Sequence, residues 1–291
     1  MACAESRTKT IEVGDYDLDA TLTSGQAFRW RKKDRSWIGI VQGRWVRLTP
    51  AESAIVADAA TDIGDWSWLT DYLQTGLDLG RVIQSFPQDP AMNAAVTACR
   101  GLRLLRQDPW ECLASFILSS TKQILQIQQI VSLICQRFGA PITMGDGQEP
   151  AWAFPAPERL AGLSETELRA CKMGFRAPFL LCAARAVAEG KLDLKSLNRL
   201  SIESARAELV KLHGVGEKVS NCVLLFAFGR QEAFPVDVWI AKALRQLYFP
   251  RRKLSLKQLQ AFATKHFAPN AGYAQQYLFH YVRMKGIATR R

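Results

Sequence analysis

The sequence predicts an α+β protein in which an antiparallel sheet is followed by an all-helical domain. Residues 36–48, SWIGIVQGRWVRL, alternate bulky β-formers around Gln42-Gly43, a pattern typical of a β-hairpin. From residue 65 onward, apolar residues recur at three- and four-residue steps, as they do in amphipathic helices. We therefore expect an N-terminal α/β domain over residues 1–107 and a helical domain over residues 108–291.

The elements of the first half follow from local patterns. Residues 21–33, TLTSGQAFRWRKK, form a second aromatic-containing segment bracketed by small turn residues. After residue 108 the spacing predicts helices in DPWECLASFILSS and ILQIQQIVSLICQRFG. Arg137 and Gly139 end the second of these as a helix C-terminus commonly ends.

The second half reads as helices separated by short turns. Residues 139–163, rich in Gly and Pro, are the most loop-like section. Ser164 and Glu167 match a capping box at the start of the next helix. Further helical stretches are expected at 176–189, 201–212, 217–228, 237–248 and 255–283.

Composition limits the class of partner. The 291 residues carry a formal net charge of +11, which indicates a polyanionic partner, either nucleic acid or an acidic membrane surface. Seven scattered cysteines without a CxxC pair and three histidines without metal-site spacing argue against a disulfide framework, a bound metal or an iron–sulfur cluster. Because neither a signal peptide nor a membrane-spanning run is present, we expect a soluble intracellular protein without a membrane partner. Its compartment would be the cytoplasm or nucleoid in a bacterium and the nucleus in a eukaryote.

A glycine-containing turn joins two predicted helices in the segment ELVKLHGVGEKVSN. Gly214 and Gly216 allow a tight reversal because a positive φ is almost free for glycine. They also leave main-chain N–H groups uncovered at a helix N-terminus, where the helix dipole favours an anion such as a phosphate diester. An ordinary helix–turn–helix corner fits the same pattern, but the basic charge favours phosphate binding.

Lys218 falls in the first turn of the helix after this reversal, before an apolar run from Cys222 to Phe228. The positive end of a helix dipole repels an ammonium group. The position therefore favours the neutral amine that a Schiff-base nucleophile requires. Cys222 lies one turn later on the same face and would line a pocket that contains the lysine. A lysine that extends to water or forms a salt bridge fits the same spacing.

Asp237 follows Pro235-Val236 and precedes VWIAKALRQLY, a helix pattern. Aspartate is a favoured N-cap, and a capping carboxylate is stabilised in its ionised form. A fixed anion is also what the oxocarbenium-like sugar of a glycosidic cleavage needs. We therefore expect Asp237 to cap this helix, and a catalytic role is compatible with capping.

The combination of LxGVGxKV, an apolar helix and PVDxxI resembles the helix-hairpin-helix DNA glycosylases, and most closely their bifunctional 8-oxoguanine glycosylase/lyase family. The supporting motifs span most of the chain: SGQAFRW at 24–30, GLRLLRQDPWECLASFILSS at 101–120, MGFRAPFL at 173–180, the 212–240 segment and GYAQQYLF at 272–279. The resemblance implies a TBP-like antiparallel sheet before the helical domain. It also implies a monomer that acts on double-stranded DNA containing an oxidised purine, without a cofactor. A structural monovalent cation on the hairpin carbonyls is compatible with it.

Site residues follow from the resemblance position by position. Lys218 matches the catalytic lysine that attacks C1′ of the damaged nucleoside, and Asp237 matches the essential aspartate. Cys222 and Phe279 match the pair that sandwiches the extruded base, and Gln275 matches the residue that bonds its Watson–Crick edge. Taken singly, Cys222 and Phe279 also fit packing positions, and Gln275 fits a solvated helix position.

Gly25 matches the glycine whose main-chain carbonyl tests for the lesion. Guanine N7 accepts hydrogen bonds, whereas the oxidised base carries a hydrogen there. A fixed carbonyl therefore attracts the lesion and repels guanine, a discrimination of about 1–3 kcal/mol. A glycine suits the position because it lets the main chain approach closely. Taken alone, Gly25 fits an ordinary turn glycine equally well.

Several DNA-facing positions depart from the family pattern. Thr121 stands where an asparagine run is common, and Gln126 stands where an arginine is expected. Those positions contact the cytosine opposite the lesion, and of that set only Arg176 remains. We therefore expect relaxed selectivity for the opposite base. His213 replaces the usual hairpin proline, and Trp239 replaces a phosphate-contacting histidine.

Two other functions fit part of the pattern. A monofunctional glycosylase for alkylated bases or mismatched adenine would use water and lack Lys218, and no C-terminal cysteine cluster supports the iron–sulfur members of that class. A non-catalytic helix-hairpin-helix DNA-binding protein would need the turn alone. It would have no use for Asp237 or for the residues of the base pocket.

Overall fold

The computed structural model describes residues 6–144 and 149–286. Cys3, the start of the N-terminal segment and part of the predicted 139–163 loop lie outside the described residues. The predicted fold class is confirmed, because an antiparallel sheet occupies the N-terminal part and helices follow it.

The N-terminal part contains a five-stranded antiparallel sheet with the order β1-β5-β4-β3-β2. The strands are β1 Ser6–Glu12, β2 Arg31–Lys33, β3 Ser36–Val41, β4 Arg44–Ala51 and β5 Ala54–Ile63. The predicted hairpin is confirmed. Gln42 and Gly43 both adopt positive φ between the paired residues Val41 and Arg44, which is the conformation that a tight two-residue hairpin turn requires.

Short helices also precede residue 107 in the chain: α1 Leu18–Thr23, α2 Ser67–Leu73, α3 Leu79–Gln84 and α4 Pro90–Ala98. Asp17, Asp78 and Asp89 cap the first, third and fourth of them through side-chain oxygens. Most of the 21–33 segment forms the end of α1 and an irregular loop, and only its last three residues join the sheet.

The helical part follows with α5 Pro109–Leu118, α6 Ile124–Phe138, α7 Pro157–Ala161, α8 Glu165–Leu168, α9 Ala177–Ala188, α10 Ile202–Val210, α11 Glu217–Phe226, α12 Val238–Tyr248, α13 Leu256–His266 and α14 Ala271–Met284. The capping box of Ser164 and Glu167 is confirmed at α8. The prediction of one helical stretch over 255–283 was wrong, because the chain breaks after His266. Pro269 lies in the break, and it lacks the amide hydrogen that a continuing helix would need.

The loop-like section contains two elements that the sequence did not indicate. Strands β6 Pro141–Ile142 and β7 Ala151–Trp152 pair with each other in antiparallel fashion. Between α8 and α9, the motif around residues 169–176 forms a π-helical turn and then a 3₁₀ turn, with Lys172 at a positive φ. These turns place the GFRA motif immediately before α9.

Two apolar cores hold the chain together. The smaller core packs the sheet against α1 and α2, with Val46, Leu48 and Leu69 fully buried. The larger core is helical, and it includes buried residues of α3 and α4 as well as those of α14. Residues 79–104, which precede the expected boundary at 107, therefore pack largely with the helical part. Within the described ranges, no helix is both long enough and apolar enough to cross a bilayer.

Candidate active site

Gly25 lies in a loop that is fixed from both sides. Its φ of +81° is a backbone conformation that favours glycine, and a Cβ there would lie 2.7 Å from Ile124 Cδ1, so the end of that side chain would have to shift. The carbonyl before it, on Ser24, accepts a hydrogen bond from Gln276 Nε2 at 2.9 Å. The carbonyl after it, on Gln26, accepts from Gln107 Nε2 at 2.7 Å. The Gly25 carbonyl is therefore held in a pre-set direction.

Lys218 lies in the first turn of α11, after the N-cap Gly216, as predicted. Its side chain is half-buried, and Nζ donates a hydrogen bond to Ser119 Oγ at 2.9 Å. Nζ also lies 5.1 Å from the centre of the Phe116 ring. The alternative of a lysine that extends to water does not describe this side chain. The amine is instead oriented toward the C-terminal end of α5.

Asp237 caps α12, as predicted, because Oδ1 accepts the Ile240 main-chain N–H at 2.8 Å. Burial raises the pKa of this carboxyl, while the Ile240 and Trp239 amides and the charges of Lys218 and Arg283 oppose the rise. The carboxylate is thus placed in a poorly solvated position and is supported there by donors and cations. A poorly solvated anion that interacts with a nearby amine can stabilise a developing sugar cation.

Cys222 follows Lys218 by one helical turn and is buried. Burial raises the pKa of its thiol to about 11, and the positive charge of the nearby Lys218 opposes that rise. The thiol is therefore neutral at physiological pH, and Cys222 offers an apolar surface next to the amine. Lys218, Cys222 and Asp237 are brought together, as the sequence predicted.

Gln275 and Phe279 lie on one face of α14, four residues apart. Phe279 is close to Gly25, since a Cβ on that glycine would lie 3.4 Å from Phe279 Cε1. Gln275 is only 4% exposed, so the solvated alternative was wrong, and its Oε1 has no hydrogen-bond partner within the protein. A buried amide oxygen without a partner is costly unless a ligand supplies a donor.

The predicted hairpin joins α10 and α11. Gly214 has a φ of +86°, and His213 is exposed, with its ring 4.6 Å from that of Phe179. Gly216 is extended at the N-cap. The first amides of α11 have no acceptor in the preceding turn of their own helix, so they are available to an anion.

Gly214→Ala is expected to weaken duplex binding at least tenfold and to lower the thermal midpoint, whereas Gly216→Ala is expected to be tolerated. A Cβ at 214 would lie 2.6 and 2.7 Å from Phe179 Cδ2 and Cβ, and the positive φ disfavours alanine, whereas a Cβ at 216 meets nothing within 4 Å. Fluorescence anisotropy with a labelled duplex and thermal unfolding measure the two effects. Equal behaviour of the two variants would contradict the distinction between these glycines.

The three residues expected near the opposite base are not equally exposed. Arg176 is buried, and its guanidinium donates to the carbonyl oxygens of Ser120 and Met173 and to Thr121 Oγ1. Thr121 is exposed with a φ of +56°. Gln126 is exposed, and its Oε1 accepts the Gln123 main-chain N–H at 3.1 Å in a capping box.

The remaining DNA-facing prediction concerns Trp239, which lies half-buried in the first turn of α12. A hydrogen bond from its main-chain amide lowers the pKa of Asp237, against the larger rise that burial causes. Among the described residues, no group of three or more His, Cys, Asp or Glu side chains is arranged to hold a metal ion. The monovalent cation on the hairpin carbonyls stays a prediction.

Four residues of the site were not singled out from the sequence: Gln26, Gln276, Ser119 and Arg283. The Gln26 side chain is fully buried and bonds the main chain of Thr21, Arg103 and Leu105. In the sequence, Gln26, Ser119 and Gln276 lie within the SGQAFRW, GLRLLRQDPWECLASFILSS and GYAQQYLF motifs, and Arg283 lies one turn after the last of these. Their roles depend on contacts between segments far apart in the chain.

The fold and the site together define a class of protein, the base-excision DNA glycosylases. Its features here are the helix-hairpin-helix, the lysine in the first turn of the second helix and the aspartate that caps the following helix. Comparison with known families agrees with this class. Residues 114–269 match the HhH-GPD superfamily of base excision DNA repair proteins, and residues 10–113 match the N-terminal domain of 8-oxoguanine DNA glycosylase. The chain belongs to the 8-oxoguanine DNA glycosylase family within the HhH-GPD superfamily.

Relatives and solved structures resemble the chain over nearly its whole length. A probable N-glycosylase/DNA lyase of Methanothermobacter thermautotrophicus is 30% identical over 96% of this chain and 97% of its own. The N-glycosylase/DNA lyase OGG1 of Arabidopsis thaliana is 31% identical over 91% of this chain and 77% of its own. The 8-oxoguanine glycosylase/lyase of Clostridium acetobutylicum, in complex with double-stranded DNA containing cytosine opposite 8-oxoguanine, superposes with a TM-score of 0.91. It is 29% identical, and the match covers 97% of this chain and 98% of that one.

Proposed function

We propose that this protein is a bifunctional DNA glycosylase and abasic-site lyase of base excision repair that removes 8-oxoguanine from duplex DNA. The observation that carries the proposal is that Lys218 and Cys222, in the first two turns of α11, lie near Asp237, the N-cap of α12. Relatives named N-glycosylase/DNA lyase, and a similar structure that holds 8-oxoguanine DNA, support it. The protein acts inside the cell, as a monomer.

Binding begins with the phosphate backbone. The net charge of +11 attracts duplex DNA, and the N-terminal amides of α11, uncovered by Gly214 and Gly216, hold a phosphate. His213, in the hairpin before α11, and Trp239, in the first turn of α12, contact the phosphate backbone as well. The target nucleotide leaves the stack at a cost of a few kcal/mol, which stacking and hydrogen bonds in the pocket offset.

The extruded base lies between Cys222 and Phe279. The Gly25 carbonyl accepts the N7 hydrogen that only the oxidised base carries. Gln275 Oε1, which has no partner within the protein, accepts a hydrogen bond from the donors on the Watson–Crick edge of the purine. Undamaged guanine would place a lone pair against the fixed carbonyl, and it is therefore bound less well.

The chemistry starts when the Lys218 lone pair forms a bond to C1′. The bond from C1′ to the base nitrogen breaks, and its electron pair leaves with the base, which takes up a proton. Asp237 stabilises the positive charge that develops on the sugar. The attached nitrogen loses a proton, and its lone pair then forms a C=N bond to C1′ while the C1′–O4′ bond breaks. The electron pair of that bond stays on O4′, which takes up a proton, so the sugar ring opens to a Schiff base. Loss of a proton from C2′ then expels the 3′ phosphate, and the strand is nicked by β-elimination.

Borohydride trapping tests this function. Wild-type protein is incubated with a duplex containing 8-oxoguanine and with the matched guanine duplex. A covalent adduct that forms only with the damaged duplex supports a lysine glycosylase/lyase. Base release without an adduct would indicate a monofunctional glycosylase, and binding without release would indicate a DNA-binding protein. Either of these results would overturn the proposal.

Excision is expected to depend little on the base opposite the lesion, with rates for the four duplexes within about tenfold of each other, equivalent to ~1.4 kcal/mol. Arg176 uses its guanidinium inside the protein, and neither Thr121 nor Gln126 carries a charged donor for cytosine. Single-turnover excision opposite C, A, G and T measures the range.

A variant designed to gain selectivity for the opposite base tests the same interpretation more directly. Gln126→Arg restores a charged donor fork at the start of α6 and is expected to raise the preference for cytosine. Gln136→Arg adds the same charge at the far end of α6, where the side chain is also exposed, and it should leave the ratios unchanged. A wild-type preference for cytosine above a hundredfold would contradict relaxed selectivity.

A further inference from the structure

Ser119 is the C-cap of α5, at the point where that helix packs against α11. Its hydroxyl donates a hydrogen bond to the Phe116 carbonyl at 2.7 Å, since a carbonyl oxygen can only accept. A hydroxyl has one proton, so Ser119 Oγ must be the acceptor in its 2.9 Å contact with Lys218 Nζ. The direction of this second hydrogen bond is therefore fixed, from the amine to the serine.

The ring of Phe116 gives the amine a second contact at the same end of α5. Nζ lies 5.1 Å from the centre of the ring, whose face carries partial negative charge and attracts N–H groups. The ring is buried, and it stacks on Phe226 with 5.4 Å between centroids and meets Phe28 edge to face at 5.6 Å. Both groups that contact the amine are therefore themselves held in place.

The two contacts have a consequence for the lone pair of the amine. A neutral amine has two N–H bonds and one lone pair, and the attack on C1′ uses the lone pair. Ser119 Oγ and the Phe116 ring face both attract N–H bonds. Neither offers a proton to the lone pair, because the serine proton is bonded to a carbonyl and a ring face has none. The lone pair is left in the remaining tetrahedral direction, away from both groups.

We propose that Ser119 is a positioning residue, which accepts an N–H of Lys218 and so directs the lone pair of the amine toward C1′. The inference rests on the proposed glycosylase/lyase function of this site. It assigns the serine a role through the lysine, and not through the DNA or the extruded base. The effect of Ser119 should therefore be the same on any substrate that Lys218 attacks at C1′, whether or not a base is attached.

The test is the rate of Schiff-base formation at saturating protein, on a duplex with a preformed abasic site and on an 8-oxoguanine duplex. At the abasic site the lone pair adds to the C1′ aldehyde carbon, the oxygen takes up the proton that the nitrogen loses, and loss of water leaves the C=N bond. Borohydride added at successive times reduces that bond to a stable adduct. Ser119→Ala is expected to form the adduct about tenfold more slowly on both duplexes, the effect of one lost hydrogen bond, with duplex affinity within about twofold of wild type.

Ser85 is the matched control, because it makes the same pair of hydrogen bonds elsewhere in the fold. It is the C-cap of α3 and is half-buried like Ser119. Its hydroxyl donates to the Val82 carbonyl, three residues earlier, at 2.6 Å and accepts from Asn270 Nδ2 at 2.9 Å. Ser85→Ala should lower the melting temperature about as much as Ser119→Ala does, and it should leave both rates within about twofold of wild type.

Four results would overturn the proposal. An equal loss of rate in the two alanine variants would make Ser119 structural, and a loss confined to the 8-oxoguanine duplex would mean that it acts on the base. Weaker duplex binding with an unchanged rate at saturation would make it a DNA contact. An unchanged Ser119→Ala would show that the amine is oriented without the serine. Failure of the proposed function itself looks different, since the wild-type protein would then form no adduct with either duplex.

Discussion

Lys218→Gln is expected to abolish the borohydride-trapped adduct and strand incision, and to lower the single-turnover excision rate by about 10³-fold or more. The amine is the nucleophile that the proposed mechanism places beside Asp237. Glutamine keeps a polar group near Ser119 but has no lone pair able to attack C1′. The affinity for the duplex should change by less than about threefold, because it comes mainly from contacts to phosphates and Lys218 is assigned no such contact. Gel analysis of trapped complexes and anisotropy titration measure the two quantities.

The matched control is another lysine of the same hairpin. Lys211 lies at the end of α10, is exposed and pairs with Glu208 at 2.7 Å. Lys211→Gln removes the same charge without entering the site, so trapping and incision should persist. An adduct that survives in Lys218→Gln and disappears in another lysine variant would transfer the nucleophile to that residue. It would also remove the reason for the placement of Asp237.

The sequence predicted the parts of the site that local rules determine. Gly216, Lys218 and Asp237 lie at helix ends, and helix ends follow from glycines, prolines and capping side chains within a few residues. The structure places each of them as expected. The same reasoning missed the end of α13, although Pro269 stood in the sequence, because the apolar spacing continues on both sides of it.

The parts of the site that were not predicted depend on distant contacts. The loop around Gly25 takes its rigidity from Gln276, which lies some 250 residues later, and from Gln107. No periodicity in either segment indicates the partner. For Arg176, by contrast, the GFRA motif predicted a contact with DNA. The structure places its guanidinium in bonds to Ser120 and Met173, and the DNA contact stays a prediction.

Asp237→Asn is expected to slow excision by about 10²–10³-fold without weakening the fold, whereas Asp237→Ala should lose both rate and stability. Asparagine keeps the acceptor for the Ile240 amide, so the cap of α12 survives. Alanine removes that acceptor, which costs about 1 kcal/mol at a helix N-terminus. Single-turnover excision and thermal unfolding on the same three proteins separate the two roles of the carboxylate.

The pH dependence of the melting temperature tests whether the charge of Asp237 stabilises or destabilises the fold. Burial raises the pKa of Asp237 in the folded protein, so the ionised carboxylate weakens the fold above that pKa. This penalty falls as the pH drops through the folded pKa, and it vanishes below the unfolded value. Asp237→Asn should therefore match or exceed the wild-type melting temperature at pH 8, and the difference should close toward pH 4. A less stable asparagine variant at pH 8 would show that the charge stabilises the fold, and a trade of stability for catalysis at this position would then be ruled out.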